Sequence, residues 1–376
     1  MKKILFNNIG KSINYLKHVE HLFSDYDLIR GKHFSNLCYE ELQPHFLNSH
    51  LLLTHSATGA LEIIAHALDI KNGDEVILPS FTFVSTVNAF ASRGATPVFI
   101  DIEPDRLNLD IDLVERAITS KTRAIIAVHY AGHSCDLNRL KKICEKHSLV
   151  LIEDAAMSFG NTFEGKQLGG IADFGVISFD VTKHISAVQG GLLIVNNEKY
   201  KIRTNNIYHI GTNRSDFTKG IVPYYEWVDV GSKYQMNELN AAFLYDQLKI
   251  KDDIIQKRKT ISKSYFSGLK SLSELEHFLM MNESLIDSNI HEFYLVVKSE
   301  EDRHKLSAFL NEKGIESMFH YIPLHSATKG KEIGRFIGSN ETQKASERLL
   351  RLPMHNELTE DEVEYIIQTI RTYYES

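Results

Sequence analysis

Short continuous runs of apolar residues alternate with helix-period segments between about residues 50 and 200. The runs lie at Leu51–Thr54, Asp74–Ser80, Thr96–Ile102, Thr122–Tyr130 and Leu149–Ala155. Apolar runs without polar alternation are typical of strands that are buried on both faces. The segments between them repeat their apolar residues at helical spacing. This order of strand, helix and strand predicts a mostly parallel sheet with helices on both sides.

Two further apolar runs, Gly175–Asp180 and Gly191–Asn197, have no helix-period segment between them. A parallel connection requires a crossover of a dozen or more residues, which is usually a helix. We therefore expect the sheet to change direction between these two strands.

The second half of the chain begins with a long amphipathic pattern over Asn237–Leu269, which predicts one long helix. A strand-like run at Phe293–Ser299, a helical segment, the strand-like segment Ile315–Ile322 and a helix after Thr359 follow it. This pattern indicates a smaller α+β unit. We expect a large α/β domain over residues 1–250, with an N-terminal segment, and a smaller domain over residues 251–376.

Charge and cysteine content restrict the classes of function. The chain has 376 residues, with 42 Lys and Arg against 49 Asp and Glu, a formal net charge of −7, which argues against nucleic-acid binding. Its three cysteines form no CxxC pair, which argues against a zinc site or a disulfide framework and suits a reducing compartment. No stretch approaches the roughly 18 apolar residues of a membrane span. We expect a cytoplasmic protein with no membrane partner, no nucleic-acid partner and no bound metal.

The common nucleotide-binding motifs are absent. Neither GxGxxG after the first strand nor GxxxxGK[ST] occurs, and the glycine pairs Gly169–Gly170 and Gly190–Gly191 fit neither pattern. Their absence weighs against a dehydrogenase and an ATPase.

Three features lie where strands of the predicted sheet end. Residues 56–59 (SATG) join a strand to a helix, where free backbone N–H groups and the Thr58 hydroxyl can bind a phosphate. Asp154 ends an apolar strand, and Lys183 follows another one closely. Taken singly, these are an ordinary helix cap, a structural acid and a surface lysine. Together, they are what pyridoxal 5′-phosphate (PLP) requires: a phosphate cradle, an acid for the pyridine nitrogen and a lysine for the Schiff base.

The chain resembles the DegT/StrS-type sugar-nucleotide aminotransferases, which are fold-type-I PLP enzymes. The similarity runs from about Phe6 to Leu358. It rests on the segments Gly73–Ala89, Val128–Gly132, Glu153–Ala156, Ser178–Lys183, Gly211–Arg214, Phe319–His325 and Ser346–Pro353. The last three are similar in particular to transaminases of dTDP-4-dehydro-6-deoxyglucose. The resemblance implies PLP as the cofactor and a mostly parallel seven-stranded sheet between helices, with a smaller α+β C-terminal domain.

The resemblance also assigns roles residue by residue. It implies Lys183 as the Schiff-base lysine and Asp154 as the partner of the pyridine nitrogen, these two being the catalytic residues. Phe83 matches the aromatic residue that stacks on the coenzyme, and Ala57, Thr58 and Ser178 match its phosphate ligands. The residues matched to substrate binding are Asn213, Arg214, His320, Tyr321 and His325.

Two positions depart from the family pattern. Met157 stands where the family usually has a Gln or His that hydrogen-bonds the coenzyme's phenolic oxygen, and a thioether is a weak acceptor. Gln189 stands where the family usually has Glu, so a charge near Lys183 is lost. Neither departure removes the Lys183 and Asp154 pair.

The implied activity is transfer of the amino group of glutamate to C4 of dTDP-4-dehydro-6-deoxy-D-glucose, within a homodimer whose two chains share their active sites. The product would be a dTDP-4-amino-4,6-dideoxyhexose for surface polysaccharide synthesis. Amination at C3 of a 3-keto sugar is the nearest alternative. A non-catalytic PLP-binding protein and a NAD-dependent sugar-nucleotide dehydrogenase are the alternatives from other classes.

Overall fold

A computed structural model describes residues 3–375 of the chain. Its strands are β1 (His50–Thr54), β2 (Glu75–Pro79), β3 (Thr96–Ile100), β4 (Thr122–Val128), β5 (Val150–Asp154), β6 (Thr162–Phe163), β7 (Lys166–Gln167), β8 (Phe174–Ser178), β9 (Gly191–Val195), β10 (Phe278–Met280), β11 (Phe293–Val297), β12 (Arg335–Ile337) and β13 (Leu349–Leu352).

The helices follow the same chain order. They are α1 (Tyr15–Ser24), α2 (Tyr26–Arg30), α3 (His33–Leu42), α4 (Ala57–Ala67), α5 (Val84–Ala91), α6 (Ile111–Ala117), α7 (Leu137–His147), α8 (Lys201–Tyr208), α9 (Arg214–Thr218), α10 (Glu238–Lys249), α11 (Lys251–Glu274), α12 (Glu300–Glu312), α13 (Thr328–Ile333), α14 (Glu341–Arg348) and α15 (Glu360–Glu375). None of the helices within residues 3–375 combines the length and apolarity needed to cross a membrane.

The central sheet has the strand order β1-β9-β8-β5-β4-β2-β3-β12. Strands β8, β5, β4, β2, β3 and β12 run parallel, whereas β9 pairs antiparallel with both β1 and β8. The mostly parallel sheet and the change of direction between β8 and β9 are therefore confirmed. Seven strands correspond to the prediction, and the short strand β12 from the C-terminal part adds an eighth at one edge.

The strands are apolar throughout because both faces of the sheet are covered. In β2, Ile77 belongs to the core on one side of the sheet, which includes residues of α3, α6, α7 and α10. Val76 and Leu78 belong to the core on the other side, which includes residues of α4, α5 and α8. Successive side chains of a strand point to opposite faces, so both sets must be apolar. The order of the parallel strands places the ends of β4, β5 and β8 at one edge, where the candidate site lies.

The C-terminal part has a second core, built around the antiparallel sheet β10-β11-β13 and the helices α11, α12 and α15. The single long helix predicted over Asn237–Leu269 is instead two helices. Ile250, with φ −115° and ψ 17°, leaves the helical conformation between α10 and α11. Apolar spacing continues on both sides of this residue, so the pattern did not reveal the break. The division of the chain into domains at residues 250 and 251 stays a prediction.

The strand predicted at Ile315–Ile322 is absent from the described structure, and that prediction is wrong. The segment is extended, but it makes only isolated bridges, from Ile315 to Ile4 and from Met318 to Arg351. It then leaves the small sheet and runs beside the central sheet. There the Leu324 amide donates to the Ser80 carbonyl oxygen at 3.0 Å, an ordinary hydrogen-bond distance. A segment that crosses from one sheet to the other cannot continue a ladder with either.

Candidate active site

A cavity of about 630 Å³ opens at the edge where β4, β5 and β8 end. The central sheet contributes Val128, Asp154 and Ser178 to its wall, and the C-terminal part contributes His320 and Arg351. Ligand sites of open α/β sheets lie beyond the carboxyl ends of the strands. This cavity is therefore the candidate active site.

Lys183 reaches the cavity from the loop that follows β8. Its side chain is accessible from the cavity and is otherwise enclosed by protein. Burial lowers the pKa of Lys183, although the negative charges of Glu292 and Asp154 act in the opposite direction. The result is an amine that loses its proton more readily than a lysine in water.

The loop that carries Lys183 is held from outside. Asn240, on α10, donates from Nδ2 to the carbonyl oxygens of Ala187 at 2.9 Å and Gln189 at 2.6 Å. Between them, Val188 has a φ of 66°, an unfavourable conformation for a β-branched residue. Strained residues of this kind persist where the surrounding structure imposes them, and they cluster at functional sites.

Asp154 and Glu153 are adjacent in β5 but face opposite sides of the sheet. The Thr86 hydroxyl donates to Asp154 Oδ2 at 2.7 Å, which orients this carboxylate in the cavity wall. Glu153 points away and accepts backbone N–H bonds from Gly169 and Ala172, each at 2.7 Å. Strand alternation thus makes Asp154 the acid of the cavity and Glu153 a structural acid.

The start of α4 forms the part of the cavity predicted to hold phosphate. Ser56 is the N-cap, and its hydroxyl accepts from the Gly59 amide at 3.1 Å. The cap is therefore Ser56, and the Thr58 hydroxyl is bonded instead to Ser85 Oγ at 2.8 Å. Ser56, Ala57, Thr58 and Ser85 all line the cavity.

Phe83 provides an aromatic surface above the end of the sheet. It precedes α5 as the N-cap residue, lines the cavity and is 58% exposed. A large apolar side chain this exposed in a cavity wall leaves its ring available for a bound group.

The structure brings together most of the residues singled out in the sequence. The cavity wall includes Ala57, Thr58, Phe83, Asp154, Ser178, Lys183, His320 and Tyr321, together with both departures from the family pattern, Met157 and Gln189.

Three of the predicted substrate residues lie outside the cavity wall of a single chain. His325 Nδ1 is 2.7 Å from Ser80 Oγ, and its ring stacks on Phe336 with centroids 3.8 Å apart. Asn213 is the residue directly before α9, at its N-cap position, and its Oδ1 accepts from the Glu226 amide at 2.9 Å. Arg214 is the first residue of α9.

Two buried charged residues of the cavity were missed in the sequence. Glu292 immediately precedes β11, Arg351 lies in β13, and the two form a buried ion pair. A charged residue inside an apolar strand is costly unless it is paired. Arg351, inside the apolar run Leu349–Leu352, could therefore have been recognised in the sequence as a residue that needs an acidic partner. The identity of that partner, Glu292, could not.

The chain is similar to known aminotransferases over most of its length. The sequence profile of the DegT/DnrJ/EryC1/StrS aminotransferase family matches residues 13–371. An uncharacterised protein of Methanocaldococcus jannaschii is 30% identical over 347 residues, which cover 89% of each chain.

Solved structures of the same kind superpose on nearly the whole chain. Spr1654 of Streptococcus pneumoniae, a candidate sugar aminotransferase in its PMP form, has a TM-score of 0.87 at 27% identity and covers 99% of both chains. PseC of Helicobacter pylori, an aminotransferase of pseudoaminic acid biosynthesis, has a TM-score of 0.90 at 25% identity and covers 100% of both. These matches confirm the fold-type-I fold. The chain belongs to the DegT/DnrJ/EryC1/StrS aminotransferase family, and its cofactor is PLP.

Proposed function

We propose that this protein is a sugar aminotransferase that moves the amino group of glutamate to C4 of dTDP-4-dehydro-6-deoxy-D-glucose. The product is a dTDP-4-amino-4,6-dideoxyhexose for surface polysaccharide synthesis. A sugar substrate is supported by the similarity to PseC, which acts in pseudoaminic acid biosynthesis. The dTDP-linked 4-keto sugar is supported by the resemblance of segments Gly211–Arg214, Phe319–His325 and Ser346–Pro353 to such transaminases.

The residues of the cavity fit PLP. A Cβ built on Gly191 would lie 2.4 Å from the Ala57 amide nitrogen, so the sheet and the start of α4 meet with room for backbone alone. In the proposed arrangement, Ala57, Thr58 and Ser178 hold the phosphate and Phe83 stacks on the ring. Bound there, PLP supplies an electron sink for the carbon that loses a proton next to the amine.

Lys183 moves that proton in the proposed reaction. The unperturbed pKa of a lysine is about 10.4, too high for an efficient base at neutral pH. Burial lowers the pKa of Lys183, which makes its neutral amine more abundant. Nζ then takes the proton from the carbon that bears the amino group of glutamate. In the second half of the reaction, Nζ delivers a proton to C4 of the sugar.

Asp154 would be the residue that holds the pyridine nitrogen of a bound coenzyme. The Thr86 hydroxyl bond at 2.7 Å and the Ala156 amide bond at 3.2 Å fix the two carboxylate oxygens. A carboxylate fixed in this way can hold a proton on a facing ring nitrogen. The observation that carries the proposal is that Lys183 and Asp154, from two different strand ends, line one cavity.

A non-catalytic PLP-binding protein is the second candidate, because Met157 and Gln189 both lie in the cavity wall. Membership of a PLP-dependent family speaks against the dehydrogenase alternative. The two remaining candidates differ in one measurement, the response of the coenzyme's visible absorbance to glutamate.

We expect glutamate to bleach the absorbance of the holoenzyme, and the keto sugar to restore it. Lys183→Ala should lower turnover at least about a thousandfold, the scale of a lost acid–base group. Lys166→Ala, at an exposed lysine of β7, is the matched control and should retain activity. NMR of the product should place nitrogen on C4; nitrogen on C3 would mean the alternative sugar. An absorbance that glutamate leaves unchanged would mean a non-catalytic protein.

We also propose that the protein works as a homodimer, because Asn213 and Arg214 lie outside the cavity wall of their own chain. A second chain that places these residues at the cavity would give them the substrate-binding role that the resemblance implies.

A further inference from the structure

The ion pair of Glu292 and Arg351 lies in the part of the cavity formed by the C-terminal sheet. Arg351 Nη1 donates to Glu292 Oε1. Both side chains are deeply buried, with 6% and 8% of their surface exposed, yet both line the cavity. The Arg351 guanidinium also lies 4.5 Å from the centre of the Phe6 ring, which covers one of its faces.

Each member of the pair keeps a polar atom without a hydrogen bond. Glu292 Oε2 lies 3.2 Å from His320 Nδ1, but the geometry is not that of a hydrogen bond, and Oε2 has no other partner. Arg351 Nε is also unpartnered. Buried polar atoms nearly always have a partner, so these two atoms in the cavity wall are candidates for contact with a bound molecule.

The charge of the pair restricts what that molecule can be. Burial raises the pKa of Glu292, but the positive charge of Arg351 acts in the opposite direction, and the pKa of Glu292 lies well below its usual value. Burial lowers the pKa of His320, which favours the uncharged form of its ring. Glu292 and Arg351 therefore cancel in charge. What remains is one acceptor and one donor, which suits a neutral hydroxyl group better than a carboxylate.

We propose that the Glu292–Arg351 pair recognises a hydroxyl group of the keto sugar, with Glu292 Oε2 accepting its hydrogen bond. In addition, Glu292 neutralises Arg351 and so prevents this arginine from binding a carboxylate such as that of the amino donor. This inference rests on the proposed function, because it assigns a contact to the sugar. It makes Glu292 a specificity-determining residue.

The first measurement is the affinity of the holoenzyme for dTDP-6-deoxy-D-glucose, by titration calorimetry. This probe carries the sugar hydroxyls but no ketone, so it binds without reacting. A hydrogen bond to a charged group is strong, so Glu292→Gln should weaken binding about tenfold and Glu292→Met, which has no oxygen, should weaken it further. Glu301→Gln, on the exposed side of α12, is the control and should bind as the wild type does.

The second measurement is the affinity for succinate, a dicarboxylate without hydroxyl or amino groups. Glu292→Gln leaves the positive charge of Arg351 unbalanced, so we expect succinate to bind at least about tenfold more tightly than to the wild type. Glu292→Gln keeps the size of the side chain, so it also guards against a folding defect in Glu292→Met.

The two measurements separate the inference from the proposed function. If both variants bind the dTDP sugar as tightly as the wild type does, and Glu292→Gln does not bind succinate more tightly, the role of Glu292 alone is overturned. A wild type that does not bind the dTDP sugar would overturn the proposed substrate together with the hydroxyl contact. In that case, the succinate measurement still decides whether Glu292 neutralises Arg351.

Discussion

Gly191 is the residue at which the central sheet comes closest to the start of α4. It begins β9, where it pairs with Thr54 of β1 and Ser178 of β8. A Cβ at this position would lie 2.4 Å from the Ala57 nitrogen and 2.5 Å from the Ser56 carbonyl carbon. Both contacts are with backbone, which cannot move aside as a flexible side chain can. A glycine is therefore needed here for close approach.

Gly191→Ala should push the start of α4 away from β9 and distort the proposed phosphate cradle. We expect the affinity for PLP to fall at least about tenfold and the free energy of unfolding to fall by about 1–3 kcal/mol, the usual cost of overpacking. Equilibrium dialysis of PLP and urea unfolding measure the two effects.

Gly314→Ala is the control for Gly191→Ala. Gly314 has a φ of 79°, and a Cβ there would meet nothing within 4 Å. The substitution therefore carries only a backbone cost and should leave PLP affinity unchanged. Equal loss of PLP affinity in both variants would contradict the role given to Gly191.

The residues of the cavity could be predicted from the sequence to different extents. Lys183 and Asp154 follow apolar strands whose parallel order is itself predictable, so their meeting at one edge could be expected. Arg351 lies in an antiparallel sheet and Glu292 just before one of its strands, and their pairing depends on how that sheet faces the cavity. No spacing in the sequence carries this information.

At the scale of elements, Asp101 explains why β12 joins the central sheet. This carboxylate, at the end of β3, is 1% exposed. Its Oδ2 accepts from the amides of Ser339 and Glu341, and its Oδ1 accepts from the Thr342 amide at 2.7 Å and the Thr342 hydroxyl at 2.6 Å. The start of α14, just after β12, is thus bonded to β3 through one side chain.

Asp101→Asn should destabilise the protein by about 3 kcal/mol at pH 7, because the amide group turns a donor towards the N–H groups that Asp101 accepts. Burial raises the pKa of Asp101, but the bonds from Thr342 and Glu341 lower it more, so its folded pKa lies below the unfolded value. The stabilisation is therefore present above the unfolded pKa of about 3.9 and is lost as pH falls through the folded pKa.

Urea unfolding of the wild type and Asp101→Asn measures this difference. It should be largest near pH 7 and should shrink below about pH 4, where the Asp101 carboxylate of the unfolded chain begins to protonate. Asp105→Asn, at an exposed aspartate of the same loop, should change stability by less than about 0.5 kcal/mol. A difference that is independent of pH would show that Asp101 does not act through its charge.

Element types were predictable where a pattern is long and regular, and unpredictable where tertiary contacts decide. The strands of the central sheet follow from their apolar runs. β12 has only three residues, Arg335–Ile337. Its pairing depends on Asp101, which bonds the Ser339 amide just after β12 from 238 positions earlier in the chain. Neither the break at Ile250 nor the extended course of Ile315–Ile322 alters the apolar pattern, so neither could be seen in it.

At the scale of the whole molecule, one surface segment exposes several large apolar side chains. Ile221, Tyr224, Trp227 and Val230 are exposed by 68%, 67%, 76% and 59%. Exposed apolar side chains grouped in this way mark an interaction surface. The segment has a defined conformation, because Trp227 makes an antiparallel bridge with Thr212. Asn213 follows Thr212 directly, so a chain packed on this surface would lie beside the residues that the proposed homodimer places at its partner's cavity.

Trp227 is the only tryptophan of the chain, so its fluorescence reports on this surface alone. If the surface forms the proposed homodimer, Trp227 is buried in it. Dilution should then shift its emission to longer wavelength as the dimer dissociates.

Trp227→Glu introduces a charge at the interface and should shift sedimentation from dimer towards monomer. We expect the dimer to weaken about tenfold or more, as for a central aromatic residue of an interface. Leu275→Glu, 67% exposed at the end of α11, is the control and should sediment as the wild type does. A Trp227→Glu variant that remains a dimer would exclude this segment as the interface. A dimer lost together with turnover, while the coenzyme stays bound, is the result expected if each cavity needs residues of the second chain.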